Sequence, residues 1–519
     1  QVRIVETRAA VGTFGYRRIS KNLIRVRVAG LHGVPLNATA VVVNISAVAG
    51  KAAGSITAFP TGTALTAHWN VVTDAPAQTA ADLATVKIGA NGSIDLFHTA
   101  GMQMTIDLVG AYAPVSGGVA DGRLHLMSSP RAALSGLTLG AHATRIVDLK
   151  KGGVPIGAKA AVVLITVANP AKGFWTAYTY GTRRPNTTTI PISVPGRTVS
   201  HETIVEVNAA NPRMTLFTSN GGKATVTVLG WYTGTSDAPS GEGLFVPAVA
   251  HRRLRTSSGR LVAPFGPVTF EFSSGANFGV QGLVANVLTL DNWDAGPLIA
   301  RPAGVAYPFV PVSTAAVPRQ RVAAHAMLRT STRGVALSSA KGSNVTVDVV
   351  GWFLGPRPVA TLPVPKVPVV RSTKVVGVIW RTASGPHSRA VNTPATTSNT
   401  NLNPIADSGN GAAYLARSTL GQPGNVMVFG HRTVHGAMFR DLNTVRLGDE
   451  FMLVGANGKR YHYRVMSKTV TGPSYRTISA ITLKYPPITA QLVACSKPDG
   501  TPTNVNYRIV VTGMLVAVT

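Results

Sequence analysis
The chain is nearly without cysteine. Its 519 residues hold one, Cys495, inside "QLVACSKPDG". An internal disulfide is therefore excluded, and the thiol is left to packing, a cross-link to another chain, or chemistry. Carboxylates are scarce too: 20 Asp and Glu stand against 49 Lys and Arg, a net charge of +29. The imbalance comes as much from missing acids as from added bases. No run of five or more bases occurs, so a nucleic-acid-binding arm is not expected. An anionic cell-wall polymer is the partner such a charge attracts; a basic surface with no dedicated partner is the plainer reading. No uncharged apolar stretch reaches the ~18 residues of a transmembrane helix. Heptads and Glu/Lys-rich helical segments are also missing. The start at Gln1 instead of Met leads us to expect a processed or trimmed chain.

What is present is strand and turn material. Hydrophobic residues make up 45% of the chain, with 53 Gly and 34 Pro. Short apolar runs alternate with Gly, Pro and Asn. The length exceeds what one core holds, so several domains are expected. Three endings look alike: "TIDLVGAY" (105–112), "TVTVLGWY" (225–232) and "TVDVVGWF" (346–353). Their glycines, Gly110, Gly230 and Gly351, lie about 120 residues apart. A second anchor keeps that offset: "GVPLNATAVVVNIS" (33–46) and "GVPIGAKAAVVLIT" (153–166), with a weaker partner "GVQGLVANVLTL" (279–290). Two anchors at one period mark a repeat, and the period is too long for a solenoid unit. Each copy is expected to be a β-sandwich or barrel-like domain: 1–116, 117–238 and 239–356. In the last ending, Val347, Val349 and Gly351 should face one side, and Asp348, Val350 and Trp352 the other. The glycine before an aromatic is expected to mark a bulge or a close backbone approach. Trp231 and Trp352 read as packing residues. No carboxylate or histidine set is seen to repeat across the copies.

These copies resemble a repeat of secreted actinobacterial proteins, marked by a "DTR"-like start, "GVP…AVVLNV" and "DVVGYF". Here "VETRAAVGTFG" (5–15), "GVPLNATAVVVNIS" and "TIDLVGAY" carry the likeness. It implies an extracellular, wall-associated protein, with adhesion, spacing or assembly as the work of the copies. Self-association through exposed strand edges is one route.

A Pro-rich stretch, 357–374, reads as a stiff linker, and 375–519 as a last domain. Residues 450–470 hold "GANGKR", an Asn-Gly turn between two strand runs, hence a hairpin. Cys495 should end one strand, Arg508 should begin the next, and His431 should end a third. A thiol needs a base or cation nearby to act as nucleophile. A histidine can take its proton and return it to a leaving amine, and an arginine can hold a developing oxyanion. His435 follows His431 by four, but no Glu lies between them and the segment is not helical, so neither a metal nor a cofactor is expected.

"GNVMVFGHRTVHGAMFRDLNTVRLGDEF" (424–451) and "QLVACSKPDG…YRIVV" resemble the sortases, class E above all. The resemblance covers roughly 375–519. It implies a closed β-barrel of about eight strands, with Cys495 as nucleophile, His431 as acid/base and Arg508 as stabiliser. Gln491 and Ala494 stand where the family has Thr. The implied reaction is transpeptidation at the cell surface: an LPxTG- or LAxTG-type sorting signal of surface proteins or pilins passes through a thioester to an amine acceptor. The alternative is a surface or filament subunit that keeps the sortase fold as a scaffold.

Overall fold
In a computed structural model, the described residues are almost entirely β, with short 3-10 turns and no α-helix. The description covers the chain apart from 10–14, 49, 257–267, 273–278, 291, 293–294, 309, 340–342, 363–372, 397–411, 417–419, 422–423, 473–487 and 504–506. The centre of the Pro-rich stretch and part of the "VETRAAVGTFG" segment thus lie outside the described residues. The chain divides into two compact units. One holds Gln1–Arg255 and Pro267–Val364; the other holds Thr256–Gly266 and Pro365–Thr519.

The first unit contains three copies of one two-sheet architecture. In each copy a four-stranded sheet runs from an outer edge to an inner edge in the same order. In the first copy it is Val2–Glu6, Gln103–Tyr112, Ala40–Val48, Ala80–Lys87. In the second it is Leu124–Leu139, Gly222–Tyr232, Ala160–Ala168, Val199–Glu206, and in the third Phe245–Arg255, Asn344–Leu354, Val280–Leu290, Val322–Arg329. A second sheet of four or five strands faces each. The apolar run "AVVVNISAV" is buried along nearly its whole length, as a strand flanked by partners on both edges should be.

The repeated glycines mark bulges. Val42 pairs with Gly110 and Val43 with Leu108, leaving Val109 extra. The same slip occurs at Leu229 and Val350. The simple alternation expected for 346–353 is therefore broken at Val350, because an extra residue re-aims every side chain after it. Leu229, Tyr232, Val350 and Phe353 are turned into an apolar cluster shared between copies, joined by Tyr112 and Phe245. The hydroxyls of Tyr112 and Tyr232 meet there. Trp231 stacks on His125 with ring centroids 4.2 Å apart.

The copies close into a ring. One register row per sheet explains how: Arg3–Asp107–Asn44–Leu83, Ala132–Thr227–Leu164–Glu202, and Arg252–Asp348–Asn286–His325. The asparagines in these rows reach into the next copy. Asn44 Nδ2 donates to the carbonyl of Thr188 at 2.7 Å, and Asn286 Nδ2 donates to that of Trp69. In the second copy Leu164 takes that place and packs in the shared apolar cluster. The three inner edge strands meet one another, which buries edges that would otherwise pair with other chains.

The second unit is a nine-stranded sheet. Its order is Gly385–Ala390, Val375–Thr382, Glu450–Gly455, Arg460–Thr471, Tyr507–Val518, Ile488–Ser496, Gly424–Gly430, Ala412–Ala416, Asn392–Thr396. The first and last strands in this order are consecutive in the chain, separated only by Val391. The sheet therefore curls until its edges adjoin, giving a barrel-like body. The expected hairpin is present, Glu450–Gly455 against Arg460–Thr471. Asn457 Oδ1 accepts from the amide of Lys459 at 3.1 Å, and Gly458 takes the positive φ that the turn needs.

Candidate active site
Strand Ile488–Ser496 buries Ala490, Leu492 and Ala494 in the barrel core. Alternation then puts Gln491, Val493 and Cys495 on the other face. Cys495 is half-buried. It is the register partner of Arg508 on strand Tyr507–Val518, so the two side chains share a face. The turn between these strands is set by Gly500 at φ +90°, whose amide donates to Lys497 O at 3.0 Å. On the opposite flank runs Gly424–Gly430, parallel to the cysteine strand, with Phe429 level with Val493. Two residues further along each chain stand His431 and Cys495. The fold thus gathers Cys495, His431 and Arg508 at one end of three adjacent strands. Arg508 Nη1 donates to the carbonyl of Tyr507 at 3.0 Å.

The chain after His431 folds back on itself. The amide of Phe439 donates to His431 O at 3.0 Å. His435 adopts φ +51°, and its ring centroid lies 4.9 Å from that of His431. Among the described residues, no group of three His, Cys, Asp or Glu is placed to hold a metal ion.

Two features escaped the reading of residues alone. Arg432, beside His431, is wholly buried and bonds to the main chain of both the histidine and cysteine segments. In the sequence Arg432 stands inside "GHRT", where residue type does not distinguish it from a surface arginine. The other is a polar ladder on the cysteine face. Asn425 Nδ2 donates to Gln491 Oε1 at 2.9 Å, and Gln491 Nε2 donates to Thr512 Oγ1 at 3.1 Å. Gln491, where threonine was expected, is long enough to reach both neighbouring strands.

The repeats also hold buried acids and histidines, although no acid–histidine set recurs from copy to copy. Asp107 and Asp348 are equivalent and each is ion-paired to an outer-edge arginine, Arg3 and Arg252. Burial pushes both carboxyls up, and the arginines oppose it. At the ring centre, Asp82, His201, Glu202 and His325 assemble from all three copies. His201 Nδ1 is 3.8 Å from Asp82 Oδ1, and the amide of His325 donates to Asp82 Oδ2 at 2.5 Å. Asp82 is pushed well up by burial, and His201 is pushed down to about 3 by burial and by His325. The set was invisible in the sequence because equivalent positions carry different residues. All four side chains are buried.

Residues 386–516 match the family model of the sortase domain, so the C-terminal part of the chain is a sortase domain. No curated protein matches the chain. Among solved structures, sortase A of Listeria monocytogenes is 23% identical over 28% of this chain and 88% of its own, with a TM-score of 0.21. The pilus island 1 sortase C2 of group B Streptococcus is 22% identical over 28% of this chain and 76% of its own, TM-score 0.22. A sortase E mutant from Streptomyces avermitilis is 21% identical over 29% of this chain and 93% of its own, TM-score 0.22. No helix among the described residues is long and apolar enough to cross a membrane.

Proposed function
We propose that the chain is a cell-surface cysteine transpeptidase of the sortase type, class E-like in its motifs, carried by three β repeats. We read 1–116, 117–238 and 239–356 as the repeats, 357–374 as a linker and 375–519 as the transferase. The observation that carries the proposal is the register: Cys495 stands opposite Arg508, and the parallel strand that pairs Phe429 with Val493 ends at Gly430, directly before His431. Residues kept for packing alone have no reason to place a thiol, an imidazole and a guanidinium at one strand end.

In this reading the Cys495 thiolate adds to the threonine carbonyl of an LPxTG- or LAxTG-type signal. Arg508 donates to the oxyanion. Collapse breaks the C–N bond, His431 protonates the leaving glycine amine, and a thioester remains. An acceptor amine then adds to the thioester, gives its proton to His431 and expels the thiolate. Substrates would be surface proteins or pilins, as the family resemblance implies. The basic surface and the ring suit attachment to an anionic wall polymer or to further copies of the chain.

A fluorogenic peptide panel tests this with the wild-type chain, Cys495→Ala and His431→Ala, together with mass spectrometry for an acyl adduct on Cys495. The expected result is cleavage and an adduct in the wild type, both lost in Cys495→Ala. Arg508→Lys should cost on the order of 10²-fold in kcat, since a point charge does not replace a planar fork. Silence across the panel, with added amines, would favour the scaffold reading, in which the barrel serves a surface or filament subunit.

A further inference from the structure
Arg432 follows His431 directly and is fully excluded from solvent. Nε donates to the carbonyls of Phe439 and Arg440, both at 3.1 Å. Nη2 donates to Arg440 O at 2.7 Å and to Asn443 Oδ1 at 2.6 Å. Nη1 donates to Gly500 O at 2.8 Å and to Cys495 O at 3.4 Å. Every one of these acceptors is neutral. Burial lowers the pKa of the guanidinium, while Asp441 and Cys495 raise it through charge.

A buried cation that bonds, among the described residues, to neutral oxygens is a costly way to fill space. An apolar side chain of similar volume would do so at less cost. What only a guanidinium supplies is a flat fork of five donors in fixed directions. Here the fork ties its own segment, directly after the histidine, to two others: the turn at 439–443 and the turn that begins at the cysteine. Its own bonds go to carbonyl and amide oxygens, and it has no surface open to a substrate.

We propose that Arg432 is a positioning residue that fixes His431 against Cys495 by clamping the main chain that follows each. The proposal rests on reading those two as base and nucleophile. It predicts that loss of the fork separates the pair while the barrel stays folded. A misplacement of about 1 Å at a reacting pair costs on the order of 10²-fold in rate.

The test uses the full chain with Arg432→Lys and Arg432→Gln, each checked for an unchanged far-UV spectrum and a cooperative melt. On a cleaved peptide, kcat should fall on the order of 10²-fold with KM within about threefold, and Lys should not rescue, because it lacks the fork. Iodoacetamide alkylation of Cys495 at one pH gives a second readout through a His431→Ala/Arg432→Gln cycle. His431→Ala should slow alkylation in the wild type and change it little in Arg432→Gln. Additive effects, or an unchanged kcat in a folded variant, would overturn the proposal. If the wild type cleaves no peptide, the transpeptidase reading fails, and hydrogen exchange decides on the clamp. Faster exchange confined to 431–443 and 495–501 in the variants supports it, and unchanged exchange there overturns it. Loss of the whole fold in both variants would assign Arg432 to stability and overturn positioning as well.

Discussion

Glu202 Oε1 lies 2.7 Å from Nδ1 of His325, across the junction of the second and third repeats. The other carboxylate oxygen accepts from the amide of Met327 at 3.1 Å, and Thr85 of the first repeat is 2.9 Å from Nε2 of His325. Glu202 and His325 are both buried. Removing one partner strands the other, so Glu202→Ala should cost about 3–5 kcal/mol. Calorimetry of the full chain would show it as a lowered melting transition for the ring. The pair Glu202→Leu with His325→Leu should lose less than the sum of the single changes; strict additivity would mean that the two side chains do not couple.

The ring should have a pH dependence traceable to His201. Its pKa in the fold is about 3, below the 6.5 or so of an exposed histidine. A depressed pKa gives stability that is present above ~6.5 and is lost as pH falls, at about 1.4 kcal/mol per unit, until pH ~3. Asp82, pushed up, has the opposite sign and gains stability as pH falls. Comparison of His201→Gln with the wild type isolates the first effect. The variant should show a flatter loss between pH 6.5 and 4 in urea titrations. Parallel curves would remove His201 from the acid response.

The bulge glycines should differ in tolerance. A Cβ on Gly230 would overlap the carbonyl oxygen of His125, whereas one on Gly110 meets nothing within 4 Å. Gly230→Ala should therefore destabilise by about 1–3 kcal/mol, because main chain has to move. Gly110→Ala should be nearly neutral. Equal shifts in melting temperature would mean that the bulge itself, not the close approach, selects glycine.

Gln491 should be intolerant of an apolar replacement. Gln491→Leu removes the bonds that Gln491 makes with Asn425 Nδ2 and Thr512 Oγ1 on a buried face, a cost of about 1–3 kcal/mol. Gln491→Thr is too short to span both neighbours and should recover only part of the loss. Denaturant midpoints of the three proteins would rank them.

Much of this architecture was readable in the residues. Two anchors at one offset located the copies, and period-2 runs named their strands. The Asn-Gly pair at 457–458 placed a hairpin, because that turn needs positive φ, which few other pairs accept. Strand ends at Cys495 and Arg508 were legible from the loop between them, and the antiparallel return makes them register partners. The bulges were half legible: the glycine was visible, but not the slip that turns Val350 and Leu229 out of the simple alternation.

Local periodicity and turn chemistry were legible because they depend on neighbours within a few residues, and the repeat because its two anchors recur at one offset. The ring centre and the clamp exist only in the folded chain. Asp82, His201, Glu202 and His325 come from strands more than a hundred residues apart in the chain, at positions that share register but not identity. Arg432 bonds to carbonyl oxygens, and every residue supplies one, so no residue type announces its partners. Contacts written in main-chain oxygen and in long-range register leave no pattern in sequence, and folding alone brings them together.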